Sequence, residues 1–364
     1  MVTYLEELRD LVMLHARAQN MDMAQCRRVL GRIEAVDLQG EGGWGREWAR
    51  EGDRHVAEGK AERAFQFYNL ARFPYSSNDD MASAHEKCVS TFHTCALDKG
   101  IDFTRLTVSD QGFDIPCYFS SAGRAKPLLL VMGGIVSIKE QWQAFLWAGK
   151  KLGVSVLVAE MPGVGENPLR YDEHSYAFVS KLIDAAQDLA DVSHTHVVAM
   201  SFSGNLAIGQ ALKDQRVRAI TTVGAPVHAF FTDQHWWRQV PQTTKRTLAH
   251  LCQVDEAQLF GFLARFAIDK EQLAGLRIPL YYVRSMRDEI IPPAEKRLLI
   301  ENVERLSLRE YNDVHGSPGH MGDLQKYVPM TVLKETGSNK FAHFMLNLML
   351  AVGELKRNPG GIRR

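Results

Sequence analysis

The sequence predicts an α/β protein whose mostly parallel, doubly wound sheet follows an all-helical segment. Three observations predict it: apolar residues recur at helical spacing from Tyr4 to about Lys99, the period becomes two near Gly100, and short wholly apolar runs then alternate with amphipathic stretches. Runs of that kind are what a sheet covered on both faces requires. With 364 residues, 45% of them apolar, the chain can bury a large core. The division read from the pattern is residues 1–102 as an N-terminal helical domain and 103–364 as the α/β core, with a helical cap inserted at about 228–275.

In the first segment Ala61, Ala64, Phe65, Tyr68, Leu70 and Ala71 share a helical face, and Trp44, Trp48, Phe65 and Phe67 read as core. "FTRLTV" (Phe103–Val108), a turn at Asp110-Gln111-Gly112 and "FDIPCYFS" (Phe113–Ser120) form a hairpin. The strand "KPLLLVMGG" precedes a helix around Glu140–Leu152, and "VSVLVAEM" precedes one around Ser175–Ala190. "HVVAM" leads into a helix from Gly204, and "VRAITTVG" follows. The alternation breaks at the aromatic-rich "VHAFFTDQHWWRQVP", an insertion of the kind that lies over the carboxyl ends of strands. It resumes with "IPLYYVRS" and "LSLREYN" and closes with a helix at about Asn339–Leu355; the terminal "RNPGGIRR" reads as frayed.

Lysine plus arginine and aspartate plus glutamate balance at 43 each with no block of like charge, which removes the electrostatic case for nucleic acid or an anionic membrane. The longest apolar run, Pro127–Val136, is too short to span a bilayer, and Glu6, Glu7 and Asp10 rule out a signal peptide at the start. Five cysteines without C-x-x-C pairing suggest reduced thiols rather than disulfides or zinc. The expectation is a cytoplasmic protein with a small-molecule partner, no cofactor and no metal.

Four motifs fall at the ends of strands. In "HVVAMSFSGNLA" (His196–Ala207), Ser201 stands between an apolar strand and a helix, the setting of a nucleophile elbow. The glycines usual two residues before and after the serine are replaced by Ala199 and Ser203, the next smallest choices, and a serine merely packed at a sheet edge is the competing reading. In "VMGGIVSIKEQW", Gly133-Gly134 ends a strand where an α/β hydrolase places its oxyanion loop; the donors would be the amides of Ile135 and Phe202. "RSMRDEIIPP" places Asp288 in the loop after another strand, with Glu289 one residue out of phase. In "REYNDVHGSPGHMGD", His315 lies four residues beyond Tyr311, the short reach usual for a catalytic loop; His320, with the longer excursion, is the alternative base. The order serine, aspartate, histidine is that of the α/β-hydrolase fold.

At these residues the sequence resembles the FrsA-like α/β hydrolases, in particular the 2,6-dihydroxypseudooxynicotine hydrolase type. "GGIVSIKE" (Gly133–Glu140) is similar to that group's G-G-x-x-S-x-K-E, and "MPGVGE" (Met161–Glu166) to its P-G-x-G-E. The resemblance covers most of the chain and implies an α/β-hydrolase fold in which a serine attacks a carbonyl, in a group that includes polyketide-shortening pigment enzymes. The elbow lacks its first glycine, and no glutamate occurs from Val227 to Asp255 to match the extra acid proposed for carbon–carbon cleavage in pyridine-degrading members. Ester or thioester hydrolysis is therefore favoured over hydrolysis beside a ketone.

The leading expectation is a serine hydrolase acting on a bulky hydrophobic, polyketide-like molecule under an aromatic roof of Phe230, Phe231, Trp236 and Trp237. The alternative is a lyase on the same fold that eliminates acetate from an acetylated polyketide, as hydrolase-like proteins of spirotetronate pathways do. A third reading is a ligand-binding homologue that has lost the chemistry. By analogy, a homodimer would form through the N-terminal helical domain.

Overall fold

A computed structural model describes residues 3–357; residues 358–364, most of the stretch read as frayed, lie outside it. The chain opens with five helices, α1 (Tyr4–Ala18), α2 (Met23–Leu30), α3 (Trp44–Ala57), α4 (Ala61–Ala71) and α5 (Asp79–Asp98). Their starts are set by local chemistry. Thr3 and Glu6 exchange hydrogen bonds in a capping box, and the side chains of Asp22 and Asn78 accept amides at the starts of α2 and α5. Trp44 and Trp48 are fully buried, as core.

Strands β1 (Thr104–Asp110) and β2 (Phe113–Ser120) form the expected hairpin, and Gln111 and Gly112 take the positive φ values, 48° and 83°, of a two-residue turn. Then follow β3 (Pro127–Met132), α6 (Gln143–Leu152), β4 (Ser155–Ala159), α7 (Ala177–Ala185), β5 (Asp191–Met200), α8 (Phe202–Ala211) and β6 (Val217–Val223). The helix expected over Ser175–Ala190 is shorter than its apolar pattern. The amides of Ala186, Gln187 and Leu189 bond to carbonyls three residues back, which tightens the chain out of α geometry.

The cap comprises α9 (Ala229–Thr232), α10 (Gln234–Gln239), α11 (Gln242–Cys252), α12 (Glu256–Leu263) and α13 (Lys270–Ala274). β7 (Leu280–Ser285), α14 (Ala294–Asn302), β8 (Leu306–Tyr311), α15 (Met321–Thr336) and α16 (Lys340–Arg357) complete the chain. The eight strands make one sheet in the order β1-β2-β4-β3-β5-β6-β7-β8, antiparallel at β1–β2 and β2–β4 and parallel from there on. β3 and β4 are buried almost throughout, as their unbroken apolar sequences require.

One hydrophobic core runs from the N-terminal helices through the sheet into the cap. Polar contacts reinforce it: the Glu7 carboxylate on α1 accepts the amide of Gln242 (2.9 Å) and that of Thr243 at the start of α11. The N-terminal helices thereby hold the cap. Among the described residues no helix is long and apolar enough to cross a membrane.

Candidate active site

β5 delivers Ser201 on a sharp turn into α8, with φ 56° and ψ −126°. A positive φ is costly for any residue with a β-carbon and persists only where the surroundings hold it. Here the Ser201 amide donates to the Val223 carbonyl (2.9 Å), and the Ser201 carbonyl accepts from Gly204 (2.8 Å). The Ser203 hydroxyl, in the place of a glycine, reaches the carbonyls of Met132 (3.1 Å) and Met200 (2.9 Å). The substitution that weakens the sequence motif thus ties the turn to β3.

The Ser201 Oγ lies 2.9 Å from His315 Nε2, and His315 Nδ1 lies 3.0 Å from both carboxylate oxygens of Asp288. Asp288 is buried, and its Oδ1 also accepts the amides of Ile290 (2.9 Å) and Ile291 (2.8 Å). Burial alone would lower the pKa of His315, but the Asp288 carboxylate, with Glu289 adding to it, outweighs burial and raises it above the ordinary histidine value. His320 turns elsewhere: its Nδ1 bonds Asp313 (2.9 Å) and its ring stacks on Tyr311 at 4.5 Å. Of the two candidate imidazoles, the structure brings His315 to the serine.

Three residues around this group escaped the sequence reading. Glu289, dismissed there as out of phase, accepts the backbone amide of His315 (3.0 Å). Asp313 accepts the amides of Val314 (2.9 Å) and Gly319 (2.7 Å), which folds the histidine loop back on itself. Gly224, at the end of β6 with φ 64°, faces the imidazole: a β-carbon there would come within 2.8 Å of His315 Cε1. The only signal for these lay in "VGAP" and in acids beside the loop, and neither has a period or a spacing to read.

Across the serine, Gly134 packs so closely that a β-carbon on it would stand 3.0 Å from Ser201 Cβ. Ile135 and Phe202 follow Gly134 and Ser201 in the chain, both buried, and among the described residues neither amide has a protein acceptor. The loop they belong to is gripped from two sides. From the N-terminal helices, the buried Arg72 donates to the Val136 carbonyl (2.7 Å) and to Gln141 (3.2 Å) while Asn69 holds its guanidinium (2.7 and 3.0 Å). From the core, the wholly buried Lys139 ammonium meets Glu140 (3.0 Å), Glu160 (3.3 Å) and Glu166 (2.5 Å).

Burial lowers the proton affinity of the Lys139 amine, but the three carboxylates outweigh it and raise its pKa. Glu160 is pushed up to about 7, by burial first and then by the neighbouring Glu140 charge. The motifs "GGIVSIKE" and "MPGVGE" therefore meet in one ion cluster, to which Tyr118 donates through Glu140 (2.8 Å) and Arg105 through Glu166 (2.9 Å).

The four aromatics expected as a roof fall into two pairs. Phe230 and Phe231 are fully buried, with Phe230 edge-on to Phe202, Phe231 and Trp237 at 5.2, 5.2 and 5.7 Å. Through Phe202 they pack the cap onto the elbow, and Leu248, Leu251, Leu259 and Leu263 of the cap are buried in the same core. Trp236 and Trp237 remain partly exposed, and Trp236 Nε1 donates to the Ile290 carbonyl (2.7 Å) in the Asp288 loop. Glu295, buried on α14, accepts the amides of Val227, His228 and Phe230 at the root of the cap. A cleft of about 1060 Å³ lies where Tyr75, the loop at Gly163–Asn167 and Arg246 of α11 approach; neither Ser201 nor His315 lines it. Among the described residues no group of three or more His, Cys, Asp or Glu side chains is placed to hold a metal ion.

This arrangement can deprotonate a hydroxyl, direct it at a carbonyl and receive the resulting oxyanion. A family model described as Esterase FrsA-like matches residues 40–309. The chain is 28% identical over 228 residues to Esterase FrsA of Vibrio cholerae serotype O1, covering 57% of this chain and 54% of that one. It is 23% identical over 290 residues to Esterase FrsA of Pectobacterium atrosepticum, covering 72% and 69%. The chain thus spans about half the length of the first of these relatives. Among solved structures it is similar to AbyA5, at 39% identity and a TM-score of 0.90 over 95% of this chain and 98% of that one. It shares the fold of 2,6-dihydroxy-pseudo-oxynicotine hydrolase, at 18% identity and a TM-score of 0.63 over 87% and 89%.

Proposed function

Because the chain belongs to the FrsA-like esterase family and is an α/β-hydrolase-fold enzyme, we propose that Ser201, His315 and Asp288 make it a serine hydrolase. The observation that carries this reading is the 2.9 Å contact of Ser201 Oγ with His315 Nε2, backed by the two 3.0 Å contacts from Nδ1 to Asp288. His315 takes the hydroxyl proton as Ser201 attacks the carbonyl. Asp288 fixes the tautomer and stabilises the imidazolium. The amides of Ile135 and Phe202 receive the oxyanion, His315 then protonates the leaving group, and water resolves the acyl-enzyme through the same base.

The substrate we propose is an ester or thioester of a bulky hydrophobic molecule, polyketide-like in character. Support comes from two partly exposed tryptophans of the cap, Trp236, bonded to the Asp288 loop through the Ile290 carbonyl, and Trp237, packed against Phe230. Further support is that the likeness to AbyA5 extends over the helical segment and the cap as well as the core, so the parts that would face a substrate are shared.

Elimination of acetate from an acetylated polyketide is the second reading, favoured by the raised basicity of His315, which suits an imidazole that removes a carbon-bound proton. Turnover of an acetylated substrate in ¹⁸O-water separates the two. Hydrolysis through an acyl-enzyme writes the label into the released acetate; elimination releases unlabelled acetate and leaves an alkene. Persistent failure of a fluorophosphonate to label Ser201 in folded protein would favour the binding-only reading.

A further inference from the structure

Arg72, at the end of α4, is a cation held inside the protein without a counter-ion. Its side chain is 3% exposed, and its hydrogen bonds go to the Asn69 and Gln141 amide oxygens and the Val136 carbonyl, all neutral. Among the described residues it pairs with no carboxylate, since Glu140, Glu160 and Glu166 are turned to Lys139. Burial holds its pKa below the ordinary arginine value. A buried charge is costly until something neutralises it. Nε and Nη2 make all of its hydrogen bonds; Nη1 makes none, yet it is not sealed in the packed interior and keeps accessible surface. Two imidazoles lie within reach of this charge, His15 on α1 and His85 on α5. Burial first, and then the Arg72 charge, pull both down to about 4, so both are uncharged at neutral pH and supply no counter-ion. His15 packs on Phe73 with ring centres 5.0 Å apart, and neither of its ring nitrogens has a protein partner among the described residues. It is surrounded by protein and still only half-buried, so it borders an internal space, and its unsealed nitrogens face that space. The corner adjoins the oxyanion loop: Val136, whose carbonyl Arg72 holds at 2.7 Å, follows Ile135 directly.

We propose that Arg72 and His15 form a substrate subsite for an anionic oxygen, a carboxylate or the enolate of a 1,3-dicarbonyl, carried by the bulky apolar molecule. The inference rests on the hydrolase reading of the same site and narrows its substrate. The ligand supplies the negative charge that the protein withholds from Arg72. Nη1 and an N–H of His15 donate to it, and Asn69 keeps the guanidinium oriented before the ligand arrives. A neutral imidazole suits this place because it adds a donor without adding a second buried charge. The N-terminal helices thus select the substrate as well as hold the loop beside it. A neutral activated ester has no such oxygen, so its KM does not report this subsite.

Calorimetric titration of the full chain carrying Ser201→Ala, which binds without turnover, tests this with two pairs of ligands. Octanoate is set against octanamide, and 2-hexyl-1,3-cyclohexanedione, an enolate near neutral pH, against 2-hexylcyclohexanone. The expected result is binding of an anion at least about tenfold tighter than that of its neutral counterpart. A preference for octanoate alone assigns the subsite to a carboxylate, and one for the dione alone assigns it to an enolate. Arg72→Gln should abolish the preference. His15→Phe, which keeps the packing on Phe73, should cut it by about threefold or more with circular dichroism unchanged. The bound anion should also raise the His15 pKa, read from its imidazole resonances. If neither anion binds more tightly than its neutral counterpart, or if the preference survives Arg72→Gln in folded protein, the proposal is overturned. Binding is read without turnover, so a wild type that hydrolyses no ester while the Ser201→Ala chain prefers the anion defeats the hydrolase reading and keeps the subsite.

Discussion

On the imidazole side of Ser201 the site is held by short local devices: Asp288 accepts two amides of its own loop, Asp313 two of the histidine loop, and Glu289 the amide of His315. On the oxyanion side the loop from Gly133 to Gln141 is held by distant charges, Arg72 from the N-terminal helices and Lys139 among Glu140, Glu160 and Glu166. The first wall sets a proton acceptor with loops that each stabilise themselves. The second sets backbone amides, which have no side chain to steer them, so their loop is clamped from outside. Proton transfer and oxyanion binding are therefore open to separate disruption.

Breaking the imidazole wall should have the largest effect. His315→Ala is expected to lower kcat on the order of 10⁶-fold, and Asp288→Asn on the order of 10⁴-fold, both measured with an activated ester. Breaking the clamp should show first in stability. Lys139→Met leaves three carboxylates facing one another in a buried space, and urea unfolding should register a loss of about 3–5 kcal/mol. Arg72→Gln acts on the loop rather than on the oxyanion itself. It should lower kcat by about 10- to 100-fold, less than removal of an oxyanion donor, with KM little changed. His320→Ala, outside both walls, should change kcat by less than about tenfold.

The pH profile sharpens the same contrast. His315 acts as the neutral base and its pKa is raised by Asp288, so kcat/KM should fall with acidification through a midpoint above the ordinary value of about 6.5. Asp288→Asn should move that midpoint down, and Arg72→Gln should leave it in place. Glu160 titrates in the other wall. Its folded pKa, about 7, lies above the unfolded value, so the folded protein holds the extra proton between the two. Its contribution to stability is full below the unfolded carboxylate value and is lost as pH rises through about 7.

The two walls also differ in how far the sequence discloses them. Ser201, Asp288 and His315 each lie within four residues of the end of a strand, so the order of strands and loops singled them out without a single intact motif. The shorter loop of His315 favoured it over His320, and the contact with Ser201 falls on that residue. The clamp had no such signature. Arg72 and Val136 are 64 residues apart, Lys139 and Glu160 are 21 apart, and only the strand order β4-β3-β5 with the helical segment beside it brings them together. "GGIVSIKE" and "MPGVGE" were visible as resemblances, but not that their lysine and glutamates neutralise one another. The aromatics of the cap were visible too, yet composition alone does not separate Phe230 and Phe231, sealed inside, from Trp236 and Trp237.

Intact-mass and peptide mapping after exposure to a fluorophosphonate tests the central claim most directly, because the reagent captures only a serine activated by a base beside an oxyanion site. The account predicts one adduct per chain at Ser201, absent in Ser201→Ala, strongly slowed in His315→Ala and unaffected in His320→Ala. Folded wild-type protein that stays unlabelled, or that carries its adduct on another residue regardless of Ser201, would contradict it.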